Sequence, residues 1–86
     1  MTDRIQREID YANDTYGPFN STHEVYGVLM EEVEEFWGLV KMKPTHSLTQ
    51  TTAAIKKAQM IRELIQVSAI AKRAAEQLEN DKIKHV

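Results

Sequence analysis

The fold is decided by the stretch VYGVLMEEVEEFWGLV, residues Val25–Val40. On an α-helix, at about 100° per residue, its apolar side chains form one stripe. That stripe consists of Val25, Val28, Leu29, Phe36, Leu39 and Val40. Glu32 falls in its middle, where a core side chain is expected. A bare charge is prohibitive to bury, so a carboxylate there must be protonated, paired or bound to a cation. We therefore expect Glu32 to point inward and to be functional.

Helix boundaries follow from local signals on either side of this stretch. Gly17-Pro18 ends a first helix, because glycine suits the left-handed stop position and proline cannot continue the helix. Ser21 and Glu24 are spaced as a capping box, in which Glu24 reaches back to the Ser21 amide. Pro44 closes the second helix. The predicted helices span residues of about 3–16, 22–42 and 53–79.

The chain between and after these helices is less regular. Thr45–Thr52 holds four threonines and a serine, whose weak helix propensity predicts a loop or a frayed first turn. The tail from Asn80 to Val86 is expected to fray. No strand pattern occurs, and the length of 86 residues suits one domain spanning 1–86. The sequence predicts an all-α fold, an antiparallel bundle of three helices.

Apolar periodicity indicates how these helices pack. The first helix is predicted to bury Ile5, Ile9, Ala12 and Tyr16. The third helix carries two stripes, one of Met60, Leu64, Val67, Ala71, Ala74 and Leu78 and one of Ala54, Ala58, Ile61 and Ile65. Two apolar faces require two neighbours, so we expect a homodimer or higher homo-oligomer that completes a four-helix-type core. The alternative is that the first helix covers the spare face within a monomer.

Composition excludes several classes of function. The chain has no cysteine, so thiolate metal sites and cysteine nucleophiles are ruled out, and a reducing compartment is compatible. The net charge is −2 with acids and bases interspersed, which does not suggest a nucleic-acid or membrane surface. No apolar run approaches the ~20 residues that a membrane span needs. These features predict a soluble cytoplasmic domain.

Carboxylates on two helices are predicted to converge. Glu32 and Glu35 are neighbours on the second helix because residues three apart lie side by side. Glu63 and Gln66 on the third helix come level with them if the chain reverses near Thr49. Such oxygen ligands suit Mg²⁺, with Mn²⁺ as an alternative, and the lack of histidine in the cluster disfavours zinc and copper.

Glu31 is a third neighbour in the same run of acids and can converge on the same point. The ordinary reading of such a run is a solvated helix face. That reading applies strongly to Glu34, which points away from the stripe, and it is weak for Glu32. For Glu31 the two readings stay open.

Two motifs carry a resemblance to a known family. The segments LMEEVEEF at Leu29–Phe36 and RELIQVSAIA at Arg62–Ala71 resemble the MazG-like, all-α nucleotide pyrophosphohydrolases, which carry Glu-Glu-x-x-Glu on one helix and Glu-x-x-Asp on the next. Members hydrolyse nucleoside triphosphates to monophosphate and pyrophosphate with Mg²⁺, as dimers or larger oligomers. The resemblance spans about residues 19–78.

The resemblance implies roles for particular residues. Its metal ligands map to Glu32, Glu35 and Glu63, with Glu31 as a further ligand or a water-activating base. Gln66 stands where the family has aspartate. Its amide oxygen can still bind a hard cation, but it adds no charge and cannot act as a base.

Two functions are therefore carried forward. The first is a Mg²⁺-dependent nucleotide pyrophosphohydrolase, in which Lys56 and Arg73 on the third helix contact substrate phosphates. The second is a non-catalytic MazG-like helical module for oligomerisation or for binding nucleotide or protein, with activity weakened or lost through Gln66. Ordinary solvated basic residues are the alternative reading of Lys56 and Arg73.

Overall fold

The computed structural model describes residues 1–42 and 50–84, with the backbone alone at 50–52. Within these ranges the chain forms three α-helices, and an all-α fold is confirmed. The helices are α1 (Thr2–Tyr16), α2 (Thr22–Lys41) and α3 (Gln50–Glu79). None of them is both long enough and apolar enough to cross a membrane.

The start of α3 differs from the expectation for the threonine-rich stretch. Within the described residues α3 includes Gln50, so residues 51 and 52 are helical, whereas 45–49 lie outside the described residues.

Local signals set the α1–α2 connection. Gly17 adopts φ +70°, which glycine reaches without the steric cost that a side chain imposes, and its N–H donates to the Asn13 carbonyl. Ser21 caps α2, because its Oγ accepts from the Glu24 amide at 3.2 Å. The second hydrogen bond of the capping box, from the Ser21 N–H to the Glu24 carboxylate, is not formed. The Glu24 carboxylate instead accepts from the Asn20 side chain at 2.8 Å, since Asn20 offers amide donors close by.

Helices α2 and α3 run antiparallel. The start of α2 contacts the chain beyond the end of α3, where the Thr22 N–H donates to the Lys84 carbonyl at 3.1 Å. At the other end the Lys56 ammonium donates to the Met42 carbonyl at 2.8 Å. Helix α1 also packs on α3, but among the described residues α1 and α2 do not pack on each other. The fold is therefore a central helix with two helices beside it and a gap between them.

The main core joins the connector, α3 and the tail. Phe19, Ile70, Ala74 and Ile83 form one buried cluster. The side chains of α2 and α3 that pack against it are Val25, Val28, Leu29 and Leu78. On the side of α1, Ile9 is buried. This arrangement buries one face of α2 only partly, and α2 contains no fully buried residue.

Residues 80–84 form a defined turn, contrary to the expectation that the tail frays. Asp81 adopts φ +57°, its N–H donates to the Leu78 carbonyl, and the Lys82 N–H donates to the Gln77 carbonyl at 2.8 Å. These two bonds are the Schellman pattern that ends a helix. The turn directs Ile83 into the core, where 4% of it is exposed, and a buried isoleucine holds the tail in place. Residues 85 and 86 lie outside the described residues.

Two predictions about apolar faces are wrong in part. Tyr16, expected to face inward on α1, is 72% exposed because no helix lies opposite it. On α3, Leu64 is 47% exposed, and Ala54, Ala58 and Ala71 are exposed as well. The described parts of α1 and α2 do not cover these positions, which lie on both apolar stripes of α3.

Candidate metal centre and adjoining clefts

The structure brings three of the predicted carboxylates together. Glu32 and Glu35 lie one turn apart on α2, and Glu63 faces them from α3. One oxygen from each of the three lies within 4.8 Å of the others. This separation allows a single cation to contact all three side chains, and the set consists only of oxygen donors, as hard cations prefer. We call Glu32, Glu35 and Glu63 the carboxylate cluster.

One carboxylate oxygen of Glu63 is buried without a hydrogen-bond donor among the described residues. Its Oε2 is fully buried and accepts no hydrogen bond from the part of the chain that the structure describes. A buried acceptor without a donor is costly, on the order of 1–3 kcal/mol for a neutral group and more for a charged one. Without a cation, the donor open to this oxygen is a proton on a neighbouring carboxylate. The residues present therefore fit a bound cation.

The ionisation of Glu32 reflects this crowding. Burial raises the pKa of Glu32 to about 7, and a hydrogen bond with Glu63 and the charge of Glu35 add to the rise. The pKa of Glu35 is also raised, chiefly by its hydrogen bond with Glu63 and by the Glu63 charge. Glu32 and Glu35 therefore keep their protons to a higher pH than isolated carboxyl groups do.

Glu32 is placed differently from the prediction that it points into a helical core. It is half-buried and borders space open to solvent, because α1 stands away from α2 and leaves that side uncovered. This position makes the carboxylate reachable by an ion or a ligand. A core position would not.

Glu31 is not part of the carboxylate cluster. It lies on the exposed face of α2. Of the effects that raise the pKa of Glu35, the charge of Glu31 is the weakest. Its neighbour Glu34 is exposed too. The solvated-face reading describes both residues, so a direct metal-binding role for Glu31 has no support from its position.

Two openings adjoin the carboxylate cluster. The α1–α2 cleft, about 570 Å³, lies between those two helices over α3, and its walls include Glu32, Arg62 and Gln66. The α2–α3 groove, about 650 Å³, contains all three cluster residues together with Arg62 and Gln66. Glu32, Arg62 and Gln66 thus border both spaces. Gln66 lies where an amide oxygen can supplement the carboxylates.

The two predicted phosphate-binding residues both donate to backbone carbonyls, although Arg73 also lines the α1–α2 cleft. Arg73 is buried, donates to the Gly17 carbonyl at 3.0 Å and places its guanidinium carbon 4.0 Å from the centre of the Phe19 ring. Burial lowers the pKa of Arg73 from its ordinary value. Along α3 it stands about 15 Å from Glu63, at the helical rise per residue. Arg73 therefore fastens the α1–α2 connector to α3.

Lys56 has a similar structural contact. Its ammonium donates to the Met42 carbonyl at the end of α2, where helix carbonyls lack partners. It lies about 10 Å along α3 from Glu63. The basic residue that borders both openings is instead Arg62, which is exposed and adjacent to Glu63 in sequence. The sequence did contain a signal for Arg62 as a site residue, because a helical wheel places it on the same flank as Gln66 and Arg73.

No protein-family model, curated protein or solved structure matches this chain. The resemblance to the MazG-like family therefore remains a prediction based on the two motifs and on no broader similarity.

Proposed function

We propose that this protein is a Mg²⁺-dependent nucleotide pyrophosphohydrolase, with Mn²⁺ as an alternative ion. In the reaction, water adds to the α-phosphorus of a (deoxy)nucleoside triphosphate and the bond to the β-phosphate breaks, giving monophosphate and pyrophosphate. The observation that carries the proposal is the carboxylate cluster, because the buried Glu63 Oε2 has no donor among the described residues. Oxygen-only sites of this kind hold divalent ions beside phosphates.

Each residue of the site has a proposed role. Glu32, Glu35 and Glu63 hold the cation, and the Gln66 amide oxygen supplements them. When bound, Mg²⁺ supplies positive charge that stabilises the negative charge developing on the phosphates. Glu35 is the exposed member of the cluster, so its carboxylate is the one that water reaches most readily, and it is the proposed proton acceptor.

Phosphate contact is assigned to Arg62 in place of Lys56 and Arg73. A guanidinium pairs with two phosphate oxygens at once, which suits the binding of a polyphosphate chain. Arg62 borders both openings beside the cluster, whereas Lys56 and Arg73 are held by backbone carbonyls.

The second candidate function is a non-catalytic helical module that binds nucleotide or protein. It is favoured by Gln66, which supplies no negative charge where the resembled family has aspartate. Three carboxylates bind a divalent ion more weakly than four, and a second ion is harder to hold. Binding without turnover is the expected behaviour in that case.

A second copy of the chain is proposed to complete a four-helix-type core. An apolar groove of about 350 Å³ between α2 and α3 is lined by Phe36, Met60, Ile61 and Leu64. Elsewhere on α2, Val33 and Trp37 are exposed, and the ammonium of Lys41 lies 5.7 Å from the Trp37 ring centre. Covering this face is favourable because it removes apolar surface from water. A cytoplasmic location, where nucleotides are abundant, belongs to the same proposal.

The function is tested by measuring pyrophosphate release. All common ribo- and deoxyribonucleoside triphosphates are incubated with the protein and with Mg²⁺ or Mn²⁺. We expect release from at least one of them, lost in Glu32→Ala and Glu63→Ala and kept in Glu34→Ala, an exposed acid on the same helix. Absence of release above the blank across the panel rejects the enzyme. Tight nucleotide binding in that case supports the non-catalytic module.

A further inference from the structure

Two tyrosines of α1 line the α1–α2 cleft and have exposed side chains. Tyr11 is 62% exposed and Tyr16 is 72% exposed, and both border this cleft. Tyr16 continues the apolar spacing of α1, but α2 does not cover it, because the described residues of α1 and α2 do not pack on each other. Aromatic rings exposed on a concave surface are typical of ligand-binding sites.

The α1–α2 cleft is continuous with the carboxylate cluster. Glu32 belongs to the cluster and also lines the cleft, and Arg62 and Gln66 border the cleft and the α2–α3 groove alike. One extended ligand can therefore place an anionic end at the cluster and its other end beside the tyrosines. The volume of about 570 Å³ lies within the range that small-molecule sites occupy.

The width of the cleft is set by α3. Side-chain bonds join α1 and its end to that helix, from Lys72 to Gln6 at 3.0 Å, from Arg73 to Gly17 at 3.0 Å and from Gln77 to Asn13 at 3.3 Å. Since these contacts hold α1 away from α2, the opening exists before any ligand enters. A preformed site loses less entropy on binding than one that must be assembled.

We infer that the α1–α2 cleft binds the nucleobase of the nucleoside triphosphate beside Tyr11 and Tyr16, where the base stacks on an exposed tyrosine ring while the phosphates reach Arg62 and the carboxylate cluster. This inference rests on the proposed function and adds a second binding site to it. Stacking on aromatic side chains tolerates different bases because every base presents a π face. Tyr11 and Tyr16 therefore supply affinity and orientation for the substrate.

The test compares ligands that share phosphates and differ in the base. The probes are the α,β-methylene analogues of ATP, CTP, GTP and UTP, which resist cleavage at the α–β bond, and inorganic tripolyphosphate, which has no base. Binding is measured by calorimetry with Mg²⁺. In the Tyr11→Ala/Tyr16→Ala double variant we expect Kd for at least one analogue to rise about fivefold or more, which is the lower end of one aromatic–base stack. Tripolyphosphate affinity should stay within about twofold, because its contacts lie at Arg62 and the cluster.

Matched variants separate the ring from other effects. Tyr26→Ala removes an exposed tyrosine of α2 that borders neither opening, and it should leave every Kd unchanged. Tyr11→Phe/Tyr16→Phe keeps the rings and should keep the affinity. Equal loss for analogues and tripolyphosphate, or no loss for either, overturns the inference. If wild-type protein binds tripolyphosphate and the analogues equally well, the base site is rejected while the phosphate site stands. If it binds none of the probes, the proposed function fails as well.

Discussion

Oxygens of the Glu32 and Glu63 carboxylates lie within 4.8 Å of each other, although α2 carries one and α3 the other. Two like charges at that distance repel, and within residues 1–42 and 50–84 no donor contacts the buried Oε2 of Glu63. Burial and this neighbour raise the pKa of Glu32 to about 7. The pair therefore either retains a proton at neutral pH or holds a cation, and both states can be measured.

Stability without metal should fall as pH rises through the Glu32 transition. The pKa of Glu32 lies at about 7 in the folded protein against an ordinary value of 4.5, so the folded state holds more protons than the unfolded state within that window. Its contribution to stability is present below pH 4.5 and is lost as pH approaches 7. We expect Glu32→Gln to melt above wild type at pH 8 and equally at pH 4. Each difference of about 1 kcal/mol corresponds to about 4–8 °C in Tm. Thermal melts in EDTA check this, with Glu34→Gln as the control, and a Glu32→Gln variant that melts lower at pH 8 contradicts it.

Mg²⁺ should stabilise the wild-type protein through the carboxylate cluster. A ligand that binds only the folded state adds about 2.7 kcal/mol at a concentration one hundred times its Kd. Glu63→Gln removes one ligand charge and should lose most of the Mg²⁺-induced increase in Tm, whereas Glu34→Gln should retain it. Differential scanning calorimetry over a Mg²⁺ series gives the measurement. An identical response of wild type and Glu63→Gln would place the ion elsewhere.

Gln77 should be a strong stability determinant in spite of its polarity. Its Oε1 accepts from the buried Phe19 N–H at 2.9 Å, and its Nε2 contacts Asn13. Gln77→Leu leaves the Phe19 N–H without an acceptor, so we expect a loss of about 1–3 kcal/mol in the free energy of unfolding. Urea unfolding measures this loss. The control is Glu76→Gln, at an exposed neighbouring position, whose free energy of unfolding should stay within about 0.5 kcal/mol of wild type. An unchanged midpoint for Gln77→Leu would show that another group satisfies that amide.

Ile83 should contribute to stability although it lies beyond the last helix. It is buried with Phe19, Ile70 and Ala74, so Ile83→Ala should cost about 2–5 kcal/mol through lost burial and a residual cavity. Lys82→Ala is the matched control in the same exposed turn. Chemical denaturation measures both variants. If Ile83→Ala behaves like Lys82→Ala, the tail frays in solution as its composition suggested.

Oligomeric state should respond to the apolar face of α2 and α3. Leu64 is 47% exposed beside the apolar groove, so Leu64→Glu places a charge in the proposed contact and should shift a dimer to monomer. Tyr11→Glu makes the same change at an exposed aromatic residue on α1 and should leave the mass unchanged. Sedimentation velocity distinguishes the species. A wild-type protein that sediments as a monomer at all concentrations rejects the second copy.

The carboxylate cluster shows how far residue spacing predicts a site. Glu32 and Glu35 are neighbours on any α-helix, and an antiparallel reversal brings Glu63 level with them, so their convergence could be predicted before the structure. The structural roles of Lys56 and Arg73 could not be predicted in this way. A helical wheel gives the direction of a side chain, but the carbonyls that hold these two residues belong to segments distant in sequence.

The sequence alone determined the helical class and several helix ends, because capping, glycine and proline signals act within a few residues of the chain. Tertiary structure decided three other features. It left Tyr11 and Tyr16 uncovered, turned the tail so that Ile83 is buried, and opened a cleft beside Glu32. Each depends on where α1 and α2 dock on α3. That docking is fixed by long-range contacts such as Arg73 with Gly17 and Gln77 with Phe19, which local patterns do not contain.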